Sequence, residues 1–202
     1  MHNPAAVGLY PSGRFCTNLT GGPLTEDGAR ISANANTDWF FHPNGKTQQS
    51  NVPSLALETS DSVISITAQV SVNFSGTYDA GVLFIQTAPD QWAKLALEFS
   101  PQGFPTVVSV VTKQTSDDCD GPRLPKVLVW LRLYVQDEIV AFHFSEDGEL
   151  WRFARTFSLP RRPDGVIKLG LAAQAPMGSG CEAMFRSVSV SHATIPDFRN
   201  GK

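Results

Sequence analysis

Residues 127–145 read VLVWLRLYVQDEIVAFHFS, and this stretch decides the fold class. Apolar residues occupy every second position of residues 127–136, and aromatic or charged residues occupy most positions between them. After Asp137 and Glu138 the alternation resumes over residues 139–145. A period of two is that of a β-strand with one buried face, and two such runs joined by two turn residues predict a β-hairpin.

Short alternating or β-branched runs recur along the chain, separated by Gly, Pro, Asn and Asp. They are residues 63–72, 81–86, 92–99, 106–112, 151–159, 166–173 and 182–191. An acidic stretch, residues 116–125, is predicted to be a loop because it contains proline, which donates no hydrogen bond to a strand ladder. The pattern predicts an all-β, two-sheet antiparallel β-sandwich of the jelly-roll type. We expect a single domain over residues 1–202, with an irregular N-terminal segment at residues 1–30.

The charge of the chain restricts the classes of partner. The formal net charge is -3, and no basic cluster is longer than Arg161-Arg162, so no nucleic-acid partner is predicted. No apolar run approaches the roughly 20 residues that span a bilayer, so no membrane partner is predicted either. Residues 1–15 lack the basic start and apolar stretch of a secretory signal, and we therefore expect a cytoplasmic protein. The oligomeric state is not determined by the sequence.

One set of polar and aromatic residues lies on the predicted solvent-exposed faces of the strands and in the loops beside them. The set comprises Trp92, Lys94 and Glu98 from one strand, Trp130, Arg132 and Tyr134 from another, His143 from its hairpin partner, and Asp38, Trp39, Asp79 and Asp117 from loops. Aromatic rings stack on apolar faces of a ligand while polar groups fix its orientation. The set therefore predicts a site on a concave sheet face for a carbohydrate or another small polar-aromatic metabolite.

Each of these residues also has a purely structural interpretation. Opposite charges on adjacent strands stabilise a sheet, so Lys94, Glu98 and Arg132 can form cross-strand pairs. The tryptophan and tyrosine of the second strand can pack under a loop. A histidine such as His143 is more often a hydrogen-bonded, half-buried residue than a general acid or base.

No cofactor and no metal site are predicted from residue spacing. The three cysteines and four histidines form no Cys-x-x-Cys, His-x-His or His-Glu-x-x-His pattern. The stretch Asp117-Asp118-Cys119-Asp120 brings carboxylates together, but it lacks the ordered spacing of a calcium-binding loop. A solvated acidic turn is the favoured interpretation of that stretch.

Five segments occur in an order that is specific to one family. They are Thr37-Asp38-Trp39-Phe40, Tyr78-Asp79-Ala80-Gly81-Val82-Leu83, Trp92-Ala93-Lys94-Leu95-Ala96-Leu97-Glu98, Ser109-Val110-Val111-Thr112 with Ser116-Asp117, and Trp130-Leu131-Arg132. Over roughly residues 33–191 this set resembles the domain-of-unknown-function family 1349, which is related to the yeast regulation-of-enolase protein. The resemblance implies a concanavalin A-like jelly roll, as in lectins and glucanases. It implies no particular reaction, because this fold hosts binding proteins, hydrolases and lyases alike.

Three classes of function remain open. The first is a lectin-like module that binds a small molecule or carbohydrate on the polar sheet face. The second is a cofactor-independent enzyme, a lyase, isomerase, cyclase or glycosidase. In it Glu98 or His143 moves a proton, and Lys94 or Arg132 stabilises developing negative charge. The third is a regulatory protein-interaction module, which predicts an exposed apolar patch.

Overall fold

Strands and turns make up the regular structure of this chain. The structure, a computed structural model, describes residues 14–17 and 28–202, and no helix occurs among them. The strands in chain order are β1 (Arg14–Thr17), β2 (Ala29–Asn34), β3 (Trp39–Phe41), β4 (Gln48–Ser50), β5 (Ser54–Thr59), β6 (Val63–Asn73), β7 (Ala80–Ala88), β8 (Gln91–Phe99), β9 (Pro105–Lys113), β10 (Thr115–Arg123), β11 (Val129–Gln136), β12 (Ile139–Ser145), β13 (Arg152–Ser158), β14 (Ile167–Gln174) and β15 (Gly180–Ser191). In the described part of the chain, no helix is long and apolar enough to cross a bilayer. The hairpin expected from residues 127–145 is formed by β11 and β12.

The strands assemble into two large sheets and one small one. The seven-stranded sheet has the order β1-β5-β14-β7-β8-β9-β10, the six-stranded sheet has the order β13-β12-β11-β6-β15-β2, and β3 pairs with β4. Every pairing in these sheets is antiparallel. The predicted two-sheet antiparallel β-sandwich is confirmed.

The main core lies between the two large sheets. Leu95 of β8 and Leu131 of β11 are fully buried members of one apolar cluster, together with residues such as Ile64 of β6 and Leu169 of β14. Burial of an apolar side chain of this size contributes about 1.5–3 kcal/mol. The odd-numbered positions of β8 and β11 therefore face inward, as the alternation predicts, and their even-numbered positions face outward.

A second apolar cluster covers the outer face of the seven-stranded sheet, which is the face turned away from the core. The rings of Trp39 and Phe41 from β3 lie on it, with centroids 4.9 and 5.6 Å from that of Trp92. Trp39 also meets Phe84 of β7 edge-on at 5.0 Å. Because the β3–β4 hairpin covers this face, Trp92 is 0% exposed, and the prediction of a wet face on this strand is wrong.

The acidic stretch at residues 116–125 is strand for most of its length, so the predicted loop is wrong. β10 pairs with β9 from Thr115↔Lys113 to Arg123↔Thr106, with an irregularity between Asp120 and Arg123. β10 is the edge strand of its sheet, so one row of its backbone groups needs no strand partner. Proline is tolerated at edges and irregular steps for this reason.

The N-terminal part of the described chain also contributes strands. Within the predicted irregular segment, residues 1–30, β1 pairs with β5, and β2 begins at Ala29 and pairs with β15. The rest of that segment, residues 1–13 and 18–27, lies outside the described residues. For those residues the irregular conformation stays a prediction.

Candidate functional site

The residues predicted to share one recess lie on two different sheets. Trp92, Lys94 and Glu98 belong to β8 of the seven-stranded sheet. The second group, Trp130, Arg132, Tyr134 and His143, belongs to β11 and β12 of the six-stranded sheet. Since the alternate residues of both β8 and β11 meet in the common core, the two groups point away from each other. The prediction of one shared recess is wrong, and so is the cross-strand pairing of Lys94 or Glu98 with Arg132.

Lys94 is a buried cation on the outer face of the seven-stranded sheet. Its side chain is almost fully enclosed, with 2% of the residue exposed. Nζ donates hydrogen bonds to Trp39 O at 2.6 Å and to Gln174 Oε1 at 2.7 Å, and lies 3.9 Å from Asp38 Oδ1. Burial lowers the pKa of Lys94, and the negative charges of Asp38, of Glu98 when it is ionised and of Asp118 oppose that shift. The ammonium group therefore ties β3, β8 and β14 together.

Glu98 lies on the same face as Lys94, with Ala96 between them on β8. The residue is 7% exposed, and no residue in the described ranges gives its carboxyl group a hydrogen bond or a close ion pair. The pKa of Glu98 is raised to about 8, chiefly by burial; Lys94 opposes this shift, and Asp120, Asp38 and Asp118 add to it. At neutral pH the carboxyl group is therefore mostly protonated, and it can both donate and accept a hydrogen bond.

Two indole N–H groups on this face also lack hydrogen-bond partners in the described part of the chain. Trp39 Nε1 and Trp92 Nε1 are buried, and neither donates a hydrogen bond to any residue the structure describes. Buried polar atoms are paired in the large majority of cases, so each unpaired donor calls for an explanation. We call Trp39, Trp92, Lys94 and Glu98 the Lys94–Glu98 site.

Three aspartates give this face a negative potential. Asp38 precedes β3, and Asp118 and Asp120 stand opposite Val110 and Val108 in the register of β9 and β10. Those valines belong to the outer cluster, so both aspartates are on the outer side of the sheet. Burial raises the pKa of Asp38, while Lys94 and the backbone N–H of Trp39 lower it. Asp118 and Asp120 are two residues apart, so in a strand they share a face. The prediction of a loop for this stretch gave no reason to place them together.

Asp117 faces the opposite way from its two acidic neighbours. It pairs with Val111 of the main core, and its Oδ2 lies 3.2 Å from Arg155 Nη2 of β13. A strand directs successive side chains to opposite faces, so Asp117 does not share a face with Asp118 and Asp120. The structure thus places Asp117 outside the Lys94–Glu98 site.

Asp79 is a buried residue that organises a turn. Its Oδ2 accepts hydrogen bonds from Ser75 N at 2.7 Å, Gly76 N at 2.9 Å and Ser75 Oγ at 3.1 Å. Its Oδ1 is buried without a partner among the described residues. These contacts fix the turn that enters β7, beside Glu98.

The polar residues of the six-stranded sheet are covered by the end of the chain. Arg132 Nη2 donates to Gly201 O at 2.7 Å, and His143 Nε2 donates to Phe198 O at 2.6 Å. Tyr134 Oη accepts from Ile195 N at 3.2 Å, and its ring lies 5.6 Å from that of Phe198. We call residues 192–202 the C-terminal segment. His143 is fully buried beneath it and lies on the other side of the sandwich from Glu98, so the prediction that one pocket holds both residues is wrong.

Replacing Phe198 by alanine is expected to loosen the C-terminal segment. Burial lowers the pKa of His143 to about 4, against the hydrogen bond to Phe198, which raises it. Loss of the Phe198–Tyr134 contact lets water reach the imidazole, so the pKa of His143 rises by at least about one unit. The free energy of unfolding falls by about 1–2 kcal/mol.

NMR titration of His143 measures the change in its pKa. Asn200→Ala, at an exposed position of the same segment, serves as the control. An unchanged titration in Phe198→Ala contradicts the covering role.

A cavity of about 410 Å³ is lined by residues of β5, β7 and β14 of the seven-stranded sheet and of the loops beside them. Its walls include Glu58, Gln86, Pro89, Arg162 and Lys168. The cations in its walls are already paired, Lys168 with Glu58 at 3.1 Å and Arg162 with Asp164 at 2.6 Å. This cavity therefore lacks the unpaired buried groups that distinguish the Lys94–Glu98 site.

One family model matches most of the chain. It is described as "Protein of unknown function (DUF1349)" and matches residues 23–193. A comparison with the curated proteins gave no match.

Solved structures with the same fold have low sequence identity to this chain. They include a functionally unknown protein from Saccharomyces cerevisiae, with a TM-score of 0.80 and 19% identity over 91% of this chain and 97% of that chain. They also include a xylan β-1,4-xylosidase from Bacillus halodurans C-125, with a TM-score of 0.58 and 13% identity over 78% of this chain and 32% of that chain. The VIP36 exoplasmic/lumenal domain in its Ca2+/Man3GlcNAc-bound form matches with a TM-score of 0.51 and 9% identity, over 93% of this chain and 86% of that chain. At these identities the likeness shows the β-sandwich fold alone, and this chain spans about a third of the xylosidase.

Proposed function

The chain belongs to the DUF1349 family, and from that premise we propose that it binds a small, uncharged, hydroxyl-rich ligand of the carbohydrate class. The ligand lies in the Lys94–Glu98 site, on the outer face of the seven-stranded sheet. Arg132, Tyr134, Trp130 and His143 take no part in it, because they are on the other side of the sandwich.

The observation that carries this proposal is the set of unpaired polar groups on one sheet face. The indole N–H groups of Trp39 and Trp92 are buried without hydrogen-bond partners among the described residues. The carboxyl group of Glu98, on a residue that is 7% exposed, also receives no hydrogen bond from them. Leaving a buried donor or acceptor unpaired costs about 1–3 kcal/mol, so a ligand that supplies partners gains this energy. Hydroxyl groups supply them well, because each one both donates and accepts.

The charges of the site favour an uncharged ligand. Asp38, Asp118 and Asp120 influence Lys94 or Glu98 electrostatically, and they outnumber the single buried ammonium of Lys94. A phosphate or carboxylate entering this face meets repulsion, and Lys94 already donates to two protein oxygens. Sugars without acidic groups avoid the repulsion and still satisfy the unpaired donors.

We expect Glu98→Leu to weaken sugar binding at least tenfold, because leucine removes the buried hydrogen-bonding group at similar volume. The probes are methyl β-D-xylopyranoside, methyl α-D-mannopyranoside and N-acetyl-D-glucosamine, titrated by NMR. Glu98→Gln is expected to bind within about threefold of the wild type, since an amide reproduces the donor and acceptor of a protonated carboxyl. The control is Glu149→Leu at an exposed turn position. Absence of binding by all three probes, or equal affinity in Glu98→Leu, refutes the proposal.

Acid–base catalysis is the second candidate, and the protonation of Glu98 favours it. With a pKa raised to about 8, Glu98 carries a proton that it can give to a leaving-group oxygen while the glycosidic C–O bond breaks. A water molecule then adds to the sugar carbon and loses its proton to a carboxylate of the same face, such as Asp120.

Glu98→Gln separates the two candidates. Under catalysis the variant loses hydrolysis of p-nitrophenyl β-D-xylopyranoside while keeping its affinity, because an amide cannot give up the proton. The release of p-nitrophenol by wild type and variant is compared at pH 6.5. Equal rates in both proteins eliminate Glu98 as an acid catalyst and leave the binding function.

A further inference from the structure

Tyr78 has an unusual backbone conformation for a large side chain. Its φ is 66°, in the left-handed region, which costs a bulky residue about 1–3 kcal/mol. The strain is held in place by two hydrogen bonds of its backbone. Tyr78 N donates to Phe99 O at 2.8 Å, and Tyr78 O accepts from Gln174 Nε2 at 3.0 Å. An imposed conformation of this kind points to a use for the residue.

The contacts of Gln174 connect Tyr78 with the Lys94–Glu98 site. The Oε1 atom of Gln174 accepts a hydrogen bond from Lys94 Nζ at 2.7 Å, and the amide nitrogen of the same side chain holds the Tyr78 carbonyl. In the sheet register Gln174 pairs with Ala80, and Ala80 pairs with Glu98. Tyr78 therefore stands two residues from the strand position that adjoins Glu98.

The turn that carries Tyr78 is fixed from both sides. On one side Asp79 Oδ2 accepts from the backbone N–H groups of Ser75 and Gly76. On the other, a Cβ on Gly76 would lie only 2.6 Å from Gly178 Cα, which shows how closely the two loops pack. Yet Tyr78 itself is 42% exposed, so its aromatic side chain is presented to solvent by a rigid turn.

We propose that Tyr78 is an aromatic platform of the Lys94–Glu98 site, against which the apolar face of a sugar ring stacks, and that Gln174 is the residue that positions it. This inference rests on the proposed function, and it names a determinant of specificity for ligands with an apolar ring face. Aromatic side chains with one exposed face combine large contact area with low entropy cost, which suits them to this role.

Replacing Tyr78 by glycine separates the ligand role from a structural one. Glycine adopts positive φ without strain, so Tyr78→Gly retains or gains stability in urea unfolding. Loss of the ring is expected to weaken binding of methyl β-D-xylopyranoside or methyl α-D-mannopyranoside by about five- to tenfold. Tyr78→Phe keeps the ring and is expected to keep the affinity within about twofold.

The matched control is Asp137→Gly in the β11–β12 turn. Asp137 has a similar left-handed backbone, with φ 54°, on the other sheet, so its replacement relieves strain without a change in affinity. The positioning role of Gln174 predicts that Gln174→Met weakens binding by a larger factor in the wild type than in the Tyr78→Gly background. The loss common to both backgrounds comes from Lys94, which loses its hydrogen bond to Gln174 Oε1.

The outcomes distinguish this inference from the proposed function. Unchanged affinity in Tyr78→Gly, with loss in Glu98→Leu, overturns the platform and leaves the proposed function standing. Absence of binding by both methyl glycosides in the wild type overturns both. A stability loss of Tyr78→Gly large enough to unfold the protein overturns the inference, because it assigns the ring a structural role.

Discussion

Trp92→Ala is expected to lower the free energy of unfolding by about 3–5 kcal/mol, the range for truncating a large buried aromatic residue. The residue is 0% exposed, and its ring packs against Trp39 and Phe41 of β3. Its Nε1 has no partner among the described residues, so the loss comes from packing and not from a broken hydrogen bond. Urea unfolding at pH 7 measures the effect.

The matched control is Trp130→Ala on the six-stranded sheet. Trp130 is only half-buried, so its truncation is expected to cost about 1–2 kcal/mol. Amide hydrogen exchange adds a local test, because loss of the Trp92 ring frees β3 and should speed exchange in the β3–β4 hairpin before the rest of the sheet. Equal stability losses in the two variants show that the hairpin does not depend on Trp92.

The stability of the wild type is expected to fall by about 2 kcal/mol between pH 6.5 and pH 8.5 through Glu98. Its pKa is raised from 4.5 to about 8 in the folded protein, so the folded state holds a proton that the unfolded state has already lost. Wherever the folded state binds more protons, the free energy of unfolding decreases as pH rises. The stabilising contribution is therefore present at low pH and disappears as pH rises through about 8.

The pH range is chosen to avoid His143. Because the folded pKa of His143 is lowered to about 4, its own contribution to stability is lost as pH falls from about 6.5 towards 4. Urea unfolding of wild type and Glu98→Gln at several pH values isolates the Glu98 effect as the difference between the two profiles. Glu149→Gln is the control and should follow the wild type. Parallel profiles for wild type and Glu98→Gln show that the carboxyl group is not held protonated.

Part of the candidate site was predictable from one strand alone. Trp92, Lys94 and Glu98 share a face because alternate residues of any strand do, and the structure keeps them together. Arg132 and Tyr134 also share a face, because they are alternate residues of β11. Alternation with a period of two does not specify which sheet a strand joins. Sheet membership follows from long-range pairing, and here β8 lies between β7 and β9 while β11 lies between β6 and β12.

Other members of the site became visible only through contacts distant in sequence. Gln174 approaches Lys94 from a strand 80 residues away, and Asp38 approaches it from the β3 side of the sheet. The proline in the segment of Asp118 and Asp120 led to the prediction of a loop, in which the directions of side chains do not alternate. The segment is an edge strand, which tolerates proline, and both aspartates lie on one of its faces. The strained backbone of Tyr78 has no signal in the sequence, since φ is set by the hydrogen bonds of its neighbours.

By itself, the sequence determined the architecture: alternation with a period of two, broken by turn residues, specifies strands with one face for the core, and two antiparallel sheets bury those faces. Only the tertiary structure decided which outward residues meet. The β3–β4 hairpin encloses Trp92 and Lys94 on one side of the sandwich, and the C-terminal segment covers Arg132 and His143 on the other. The reason is physical: a strand's own pattern fixes the direction of its side chains, whereas burial, pKa and pairing depend on elements that pack over them from elsewhere in the chain.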